Sequence, residues 1–109
     1  MNKLHFDSFT IIIGKNAKDN WNILDLADDE DIWLHLDDLP SPYIIIKTNP
    51  LYKLTKKNLK LAGRLCRSNS KFKNDKNLNV CYIKVKYVKK GKYGGEAILL
   101  KEPNIFKIK

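Results

Sequence analysis

Short apolar runs, several of them alternating with polar residues, predict that much of this chain forms β-strands. The alternation is clearest at Cys81, Ile83, Val85 and Tyr87, which would face one side of a sheet, because successive side chains in a strand point to opposite faces. Turn-forming glycine and proline residues separate the runs. The predicted strands occupy residues 3–6, 9–13, 31–36, 43–47, 81–87, 96–100 and 105–108.

Two segments show helical spacing instead. The first follows Asn16, a suitable N-cap, and repeats apolar residues at helical intervals over about ten residues. The second begins near Lys53 or Thr55, ends near Ser68, and combines an apolar base with a basic side. Its basic side covers an arc of about 100° on the helical wheel and consists of Lys53, Lys56, Lys57, Lys60, Arg64 and Arg67.

The order of these elements, ββαββαβββ, predicts an α+β fold with two helices and a mixed or largely antiparallel sheet. A chain of 109 residues is the right size for one domain around one core, and we expect that domain to span residues 1–109. No apolar segment approaches the ~20 residues of a membrane span, and the N-terminus lacks the apolar region of a signal peptide. We therefore expect a cytoplasmic protein without a membrane partner, in which Cys66 and Cys81 are free thiols.

The formal net charge of +9 is distributed unevenly along the chain. Residues 1–52 contain four lysines and nine acidic residues, a balance of −5, whereas residues 53–109 contain seventeen Lys and Arg and three acidic residues, a balance of +14. Such a basic excess is typical of proteins that bind nucleic acids or anionic membranes. Because nearly all of the cations are lysines, we expect contacts with phosphates and little sequence specificity.

The sequence lacks the patterns of catalytic and metal sites. No GxSxG, HExxH or phosphate-loop pattern occurs, and His5 and His35 lack ligand spacing with each other or with cysteine. The acidic residues before and after the strand at 31–36 would stand roughly 20 Å apart, too far for one cation to join. We expect neither enzymatic activity nor a metal ion or other cofactor.

One predicted strand carries Asp31, Trp33 and His35 on one side and apolar residues on the other. Either this side forms a second, smaller core face, with the imidazole hydrogen-bonded, or it forms an aromatic surface where a base or ribose docks. The residues alone favour the core face.

Several short stretches together resemble a known family. They are GKNAKDN at 14–20 with Leu24, DIWLH at 31–35, Pro40 ahead of YIII at 43–46, Ala62-Gly63 with CRSNS at 66–70, Val80 with Tyr82, VKK at 88–90, and Gly94-Gly95 with Ala97. In these stretches the chain is similar to the NFACT-R domain, the RNA-binding domain of NFACT proteins, a group that includes ribosome quality-control tailing factors. One departure is Pro40-Ser41-Pro42-Tyr43, where the family typically shows P-G-S-H.

The resemblance implies a stand-alone RNA-binding module with tRNA or ribosomal RNA as its ligand. It also implies that the tailing activity of the multidomain factors is absent and that protein partners would supply the other NFACT domains. Two alternatives stay open. The chain could be a protein-interaction adaptor that docks on a ribosome-associated complex through its acidic half, or a DNA-binding module, since lysines do not distinguish the two nucleic acids.

The candidate site combines basic residues from several segments, which we expect to converge on one exposed surface. The candidate nucleic-acid contacts are Lys15, Lys18, Asn20, Lys56, Lys60, Arg64, Arg67, Lys71, Lys89, Lys90 and Lys92, and the residues expected to shape the site are Trp33, His35 and Tyr43.

Overall fold

The computed structural model describes residues 1–109 and contains eight strands, two α-helices and one 3₁₀ turn. The strands are β1 (Asn2–His5), β2 (Phe9–Ile13), β3 (Ile32–Leu36), β4 (Ile44–Thr48), β5 (Leu78–Lys84), β6 (Val88–Lys90), β7 (Ala97–Leu99) and β8 (Asn104–Ile108), and the helices are α1 (Ala17–Leu26) and α2 (Lys56–Ser68). The predicted α+β class and element order are confirmed. The strand predicted over 81–87 is interrupted by the 3₁₀ turn at Val85–Tyr87, which separates β5 from β6.

Six of the strands form one antiparallel sheet in the order β1-β2-β4-β3-β5-β8. Strands β6 and β7 pair with each other as a separate two-stranded ribbon. Because side chains alternate along each strand, neighbouring residues of the large sheet contribute to two different hydrophobic clusters, one on each face.

The face under α2, here called the aliphatic face, is filled by branched aliphatic side chains. Leu34 and Leu36 of β3 lie fully buried against Ala62 and Cys66 of α2. A Cβ atom at Gly63 would stand 3.2 Å from side-chain atoms of β5 and β8, so a residue without a side chain lets α2 approach the sheet closely. Helix α2 covers the centre of this face, over β3, β4 and β8.

The face under α1, here called the aromatic face, mixes aromatic and aliphatic residues. Trp33 and Tyr43 pack with Ile23 and Leu24 of α1. The β6–β7 ribbon lies beside α1 and is joined to it by the indole N–H of Trp21, which donates to the carbonyl of Glu96 at 3.1 Å. The aromatic face is therefore covered by two elements rather than one.

Helix α1 begins at the predicted cap Asn16, and α2 begins after Thr55, one of the two predicted starting points. The side chain of Asn16 accepts a hydrogen bond from the amide of Asp19, and Thr55 forms a reciprocal capping box with Asn58. Helix α1 has ten residues and α2 ends at Ser68, which confirms both predicted helices. Neither has the length and apolar character that a membrane crossing requires.

Candidate nucleic-acid interface

An open cleft of about 510 Å³ lies at the end of the sheet where β2 and β3 finish and β4 begins. Five segments that are distant in sequence line it: the start of α1, the end of β3, the β3–β4 loop, the segment after α2, and the β6–β7 turn. The lining residues are 15–17, Asn20, His35, 40–42, 69–71 and 94–95. The cleft is thus assembled by the tertiary fold.

The start of α1 places Lys15, Asn16 and Ala17 at the cleft. The amides of Ala17 and Lys18 have no hydrogen-bond partner within the chain, as expected for the first turn of a helix. Lys15 is exposed directly before the cap. Positive charge and free amide groups at a helix start attract phosphate.

Asn20 joins α1 to the β3–β4 loop. It is 7% exposed, and its side-chain Oδ1 accepts a hydrogen bond from the amide of Tyr43 at 3.0 Å. A Cβ atom at Gly14 would collide with that side chain, so glycine is required there. The exposed phosphate contact predicted for Asn20 is therefore a buried structural link whose side chain also reaches the cleft.

Three aromatic rings form the floor beside the cleft. Trp33 and His35 stack with their ring centroids 5.5 Å apart and their planes 5° apart, and Tyr43 meets both rings edge-on. Trp33 is 3% exposed, whereas His35 is partly exposed and lines the cleft. The core interpretation of Trp33 is thus confirmed, and of these three rings only the imidazole of His35 lines the cleft.

Hydrogen bonding fixes the imidazole of His35. Its Nδ1 lies 2.6 Å from the carbonyl oxygen of Leu36, and because a carbonyl only accepts, Nδ1 carries the proton. Burial lowers the pKa of His35, an effect that the carbonyls of Leu36 and Ser41 oppose without reversing. Burial therefore favours the neutral form of the ring.

Tyr43 stands where the family motif quoted above typically has a histidine. It links the start of β4, at the floor of the cleft, to the β6–β7 turn, which forms one of its walls. Its hydroxyl donates to the carbonyl of Gly95 at 2.5 Å, and burial raises the pKa of Tyr43 to about 12. Gly95 has φ 83° and packs against Ala17, where any Cβ atom would clash. Gly94 has open space around it, so a ligand can approach the backbone there closely.

The predicted basic ridge lies on the opposite face of the sheet. Helix α2 carries five of its members (Lys56, Lys57, Lys60, Arg64 and Arg67), whereas Lys53 precedes the Thr55 cap and lies outside the helix. Lys56, Lys60 and Arg64 are exposed. Arg67 is partly buried, and its Nη1 donates to the carbonyls of Lys109 at 2.8 Å and Asp75 at 3.2 Å. Arg67 therefore holds the C-terminus and the loop after α2, which is a structural role that the helical wheel did not reveal.

The lysines of the β6–β7 ribbon have partners of their own. Lys90 lies 2.7 Å from the carboxylate of Asp25 and 5.6 Å from the centre of the Trp21 ring. Lys92 lies 5.8 Å from the centre of the Tyr93 ring, and Lys89 is exposed. Exposed pairs of this kind contribute at most about 1 kcal/mol, so a phosphate can compete for them.

The acidic run at 28–31 is largely paired with lysines from later in the chain. Asp31 is 4% exposed and lies 2.8 Å from Nζ of Lys47. Glu30 contacts Lys84 at 2.9 Å and Lys86 at 3.1 Å, and these hydrogen bonds lower the pKa of Glu30. The acidic first half therefore does not form a separate acidic surface at this run.

The structure gathers four of the predicted site residues, Lys15, Asn20, His35 and Lys71, in the cleft. The basic residues of α2 point away on the other face, so the single basic surface expected from the sequence is divided in two. Sequence reasoning did not select the small and polar lining residues Asn16, Ala17, Ser41, Asn69, Ser70, Gly94 and Gly95. Most of these residues fall within the stretches that resemble the NFACT-R domain, so the resemblance could have indicated them.

Comparison with known proteins assigns the family. The family described as the NFACT protein RNA binding domain matches residues 3–101. A curated relative, the Rqc2 homolog RqcH of Bacillus subtilis (strain 168), is 32% identical over 82 residues, which is 74% of this chain and 14% of that protein.

The structure of the C-terminal part of the fibronectin/fibrinogen-binding protein from Streptococcus suis has the same fold. It superimposes with a TM-score of 0.84 over 97% of this chain and 43% of that chain, at 22% identity. The chain therefore spans only a part of both proteins. The resemblance found in the sequence is confirmed: this chain belongs to the NFACT RNA-binding domain family.

Proposed function

We propose that this chain is a non-catalytic cytoplasmic module that binds RNA, with tRNA or ribosomal RNA as the ligand, in the cleft at the end of the sheet. The observation that carries this proposal is the convergence of five separate chain segments on that cleft in a member of an RNA-binding family. The proposed contacts are with the sugar-phosphate backbone, which implies little sequence specificity.

The chemistry of the lining supports a phosphate ligand. Lys15 and Lys71 supply positive charge at two sides of the cleft. The unpaired amide of Ala17, a residue that lines the cleft, provides a hydrogen-bond donor, and the open space at Gly94 admits a close backbone approach. The cleft thus offers both charge and a directed donor.

The basic ridge of α2 is proposed to contribute to binding through long-range electrostatic attraction. Its exposed cations extend the positive field beyond the cleft, and such a field attracts nucleic acid from a distance and is sensitive to salt. In this proposal the ridge raises the association rate with any nucleic acid, whereas the cleft holds the RNA.

The proposal is tested by titrating labelled tRNA, single-stranded ribosomal RNA segments and duplex DNA at several salt concentrations. Three variants that each lose two positive charges are compared: Lys15→Ala with Lys71→Ala in the cleft, Lys60→Ala with Arg64→Ala on the ridge, and Lys3→Ala with Lys101→Ala as the matched control. Each phosphate contact that is lost lowers the log–log salt slope by about 0.7–0.9.

We expect the cleft pair to weaken RNA binding most, the ridge pair to weaken RNA and DNA binding alike, and the control pair to have the smallest effect. Equal losses in all three variants would show attraction to net charge alone and would contradict the cleft as the site. No binding of the intact protein to any nucleic acid at low salt would overturn the proposal in favour of a protein-interaction adaptor.

A further inference from the structure

An open groove of about 360 Å³ lies between α2 and the edge of the large sheet, and it shares no residue with the cleft. Its outer side is formed by β8, which is an edge strand because it pairs only with β5. No acidic residue lines the groove. Its lining consists of Leu59, Tyr82, Ile105 and Phe106 together with Lys56 and Lys60.

The apolar lining contains two aromatic rings that are not sealed in the core. The ring centroids of Tyr82 and Phe106 lie 5.7 Å apart, and the ring planes meet at 60°. Both residues are partly exposed, and Ile105 beside them is 54% exposed. The ring of Phe106 also packs under α2, where its Cζ atom would lie 3.2 Å from a Cβ atom at Gly63. The groove therefore has an aromatic surface that packing already holds in place.

The two lysines of the groove come from one side of α2 and have no acidic partner. Lys56 and Lys60 are four residues apart, a spacing that makes side chains neighbours on a helix. Both are exposed, and neither forms a salt bridge within the chain. By contrast, Lys47, Lys84 and Lys90 each contact a carboxylate. The positive charge beside the aromatic surface is thus available to an anion.

A ligand that matches both parts of the groove has a flat apolar surface joined to a negative charge. A nucleotide has this combination, because its base stacks on aromatic rings and its phosphate pairs with lysine. The base must be unpaired, since the bases that stack on protein side chains are those of single strands, loops and bulges.

We propose that this groove is a second nucleic-acid site, which binds an unpaired nucleotide with its base against Tyr82 and Phe106 and its phosphate at Lys56 or Lys60. The inference goes beyond the cleft and shares with the proposed function only the class of ligand. Because every base can stack, the site selects single strands over duplexes and not one sequence over another. Lys56 and Lys60 then have a local role in addition to long-range attraction.

The test separates the contribution of the base from that of the phosphate. Affinity is measured for a short oligouridylate and for the abasic sugar-phosphate strand of the same length. Tyr82→Leu and Phe106→Leu each remove one ring and keep an apolar side chain, whereas Lys56→Gln with Lys60→Gln removes the charge. Tyr52→Leu is the matched control, because Tyr52 is 55% exposed and lies outside the groove. Urea unfolding shows whether each variant is folded.

We expect the intact protein to bind the oligouridylate roughly five- to tenfold more tightly than the abasic strand, the effect of about one stacked base. Each ring variant should lose most of this ratio. The double lysine variant should weaken both strands and keep the ratio, and Tyr52→Leu should match the intact protein. If a ring variant does not fold, NMR spectra of the intact protein decide, because a stacked base shifts the ring resonances of Tyr82 and Phe106.

Equal affinity of the intact protein for the two strands, or folded ring variants that keep the full ratio, would overturn the nucleotide site. Ring resonances that do not move in the complex would also overturn it, and would favour an acidic protein segment with an apolar anchor as the occupant.

The cleft is judged separately by Lys15→Ala with Lys71→Ala, which should lower the affinity for both strands and leave their ratio unchanged. A loss in this pair without any ratio in the intact protein would overturn the groove and leave the proposed function standing. A full ratio with no loss in this pair would support the groove and contradict the cleft.

Discussion

The two faces of the sheet are built from different residues, and only one of them borders the cleft. The aliphatic face is filled by isoleucine, leucine and valine side chains and is covered at its centre by α2. On the aromatic face Trp33 and His35 stack, Tyr43 meets both rings edge-on, and His35 lines the cleft. One sheet therefore has an aliphatic core on one side and, on the other, an aromatic core whose edge lines the candidate binding site.

Because the two faces differ, most of the positive charge and most of the polar groups that could orient a ligand lie in different parts of the molecule. The larger cluster of cations lies on α2, outside the aliphatic face. The cleft has fewer cations but brings together polar residues from five segments. Charge density alone therefore indicates where a polyanion is attracted, and the polar geometry indicates where it is held.

The largest expected effect comes from removing the aromatic stack. Trp33→Ala should lower the free energy of unfolding by about 3–5 kcal/mol, because a buried indole leaves a large cavity. Leu34→Ala, one residue along on the aliphatic face, should lower it by about 2–5 kcal/mol. Urea unfolding measures both values. A Trp33→Ala protein of near-normal stability that fails to bind RNA would show that the indole contacts the ligand and that the division between core and cleft is wrong.

A side chain added at the open wall of the cleft should block the ligand while leaving the fold intact. Gly94 has no positive φ, and no neighbouring atom lies within 4 Å of the point where a Cβ atom would stand, so Gly94→Leu should unfold normally in urea. Its RNA affinity should fall about tenfold, equivalent to roughly 1.4 kcal/mol. Asn22→Leu, an exposed position of α1 outside the cleft, is the control. Equal affinities for the two variants would place the RNA elsewhere.

Two neighbouring arginines of α2 should behave differently although both belong to the ridge. Arg67→Ala should lower the free energy of unfolding by about 1 kcal/mol, since it removes charged hydrogen bonds to two backbone carbonyls that are partly exposed to solvent. Arg64→Ala should stay within about 0.5 kcal/mol. Thermal or urea unfolding gives both values, and a reversed order would mean that the C-terminal contact of Arg67 is not formed in solution.

Stability should also be lost gradually in alkali, and both faces contribute to this loss. Burial raises the pKa of Cys66, on the aliphatic face, to about 11 and that of Cys81, on the aromatic face, to about 12, and Tyr43 shifts in the same direction. These groups keep their protons in the folded state at pH values where the unfolded chain releases them. The free energy of unfolding should therefore fall as pH rises above about 9.

Urea unfolding between pH 7.5 and 10.5 follows this loss. Tyr43→Phe should flatten the upper part of the pH dependence, because it removes one of the three groups. A stability that stays constant over this range would contradict the shifts.

The elements of this fold were predictable because their signals are local. Asn16 and Thr55 cap helices whose apolar spacing is regular, and the isoleucine runs mark strands of the sheet centre. The break at Val85–Tyr87 was not predictable, because its residues continue the alternation of a strand.

The site was predictable only in part because it depends on how distant segments meet. The helical wheel identified the basic side of α2 but not that Arg67 turns toward the carbonyl of Lys109. Nor does any spacing indicate that the backbone of Gly95 packs against Ala17 at the start of α1. The resemblance to the family supplied the matching stretches, and the tertiary structure shows why they belong together.

The hydroxyl of Tyr43, the indole of Trp21 and the ammonium of Lys90 all fasten the β6–β7 ribbon to the rest of the molecule. These three contacts order the β6–β7 ribbon when the protein folds. The ribbon therefore loses little further conformational entropy when RNA binds. Association should therefore proceed as a nearly rigid encounter, with a heat-capacity change too small for coupled folding of a segment.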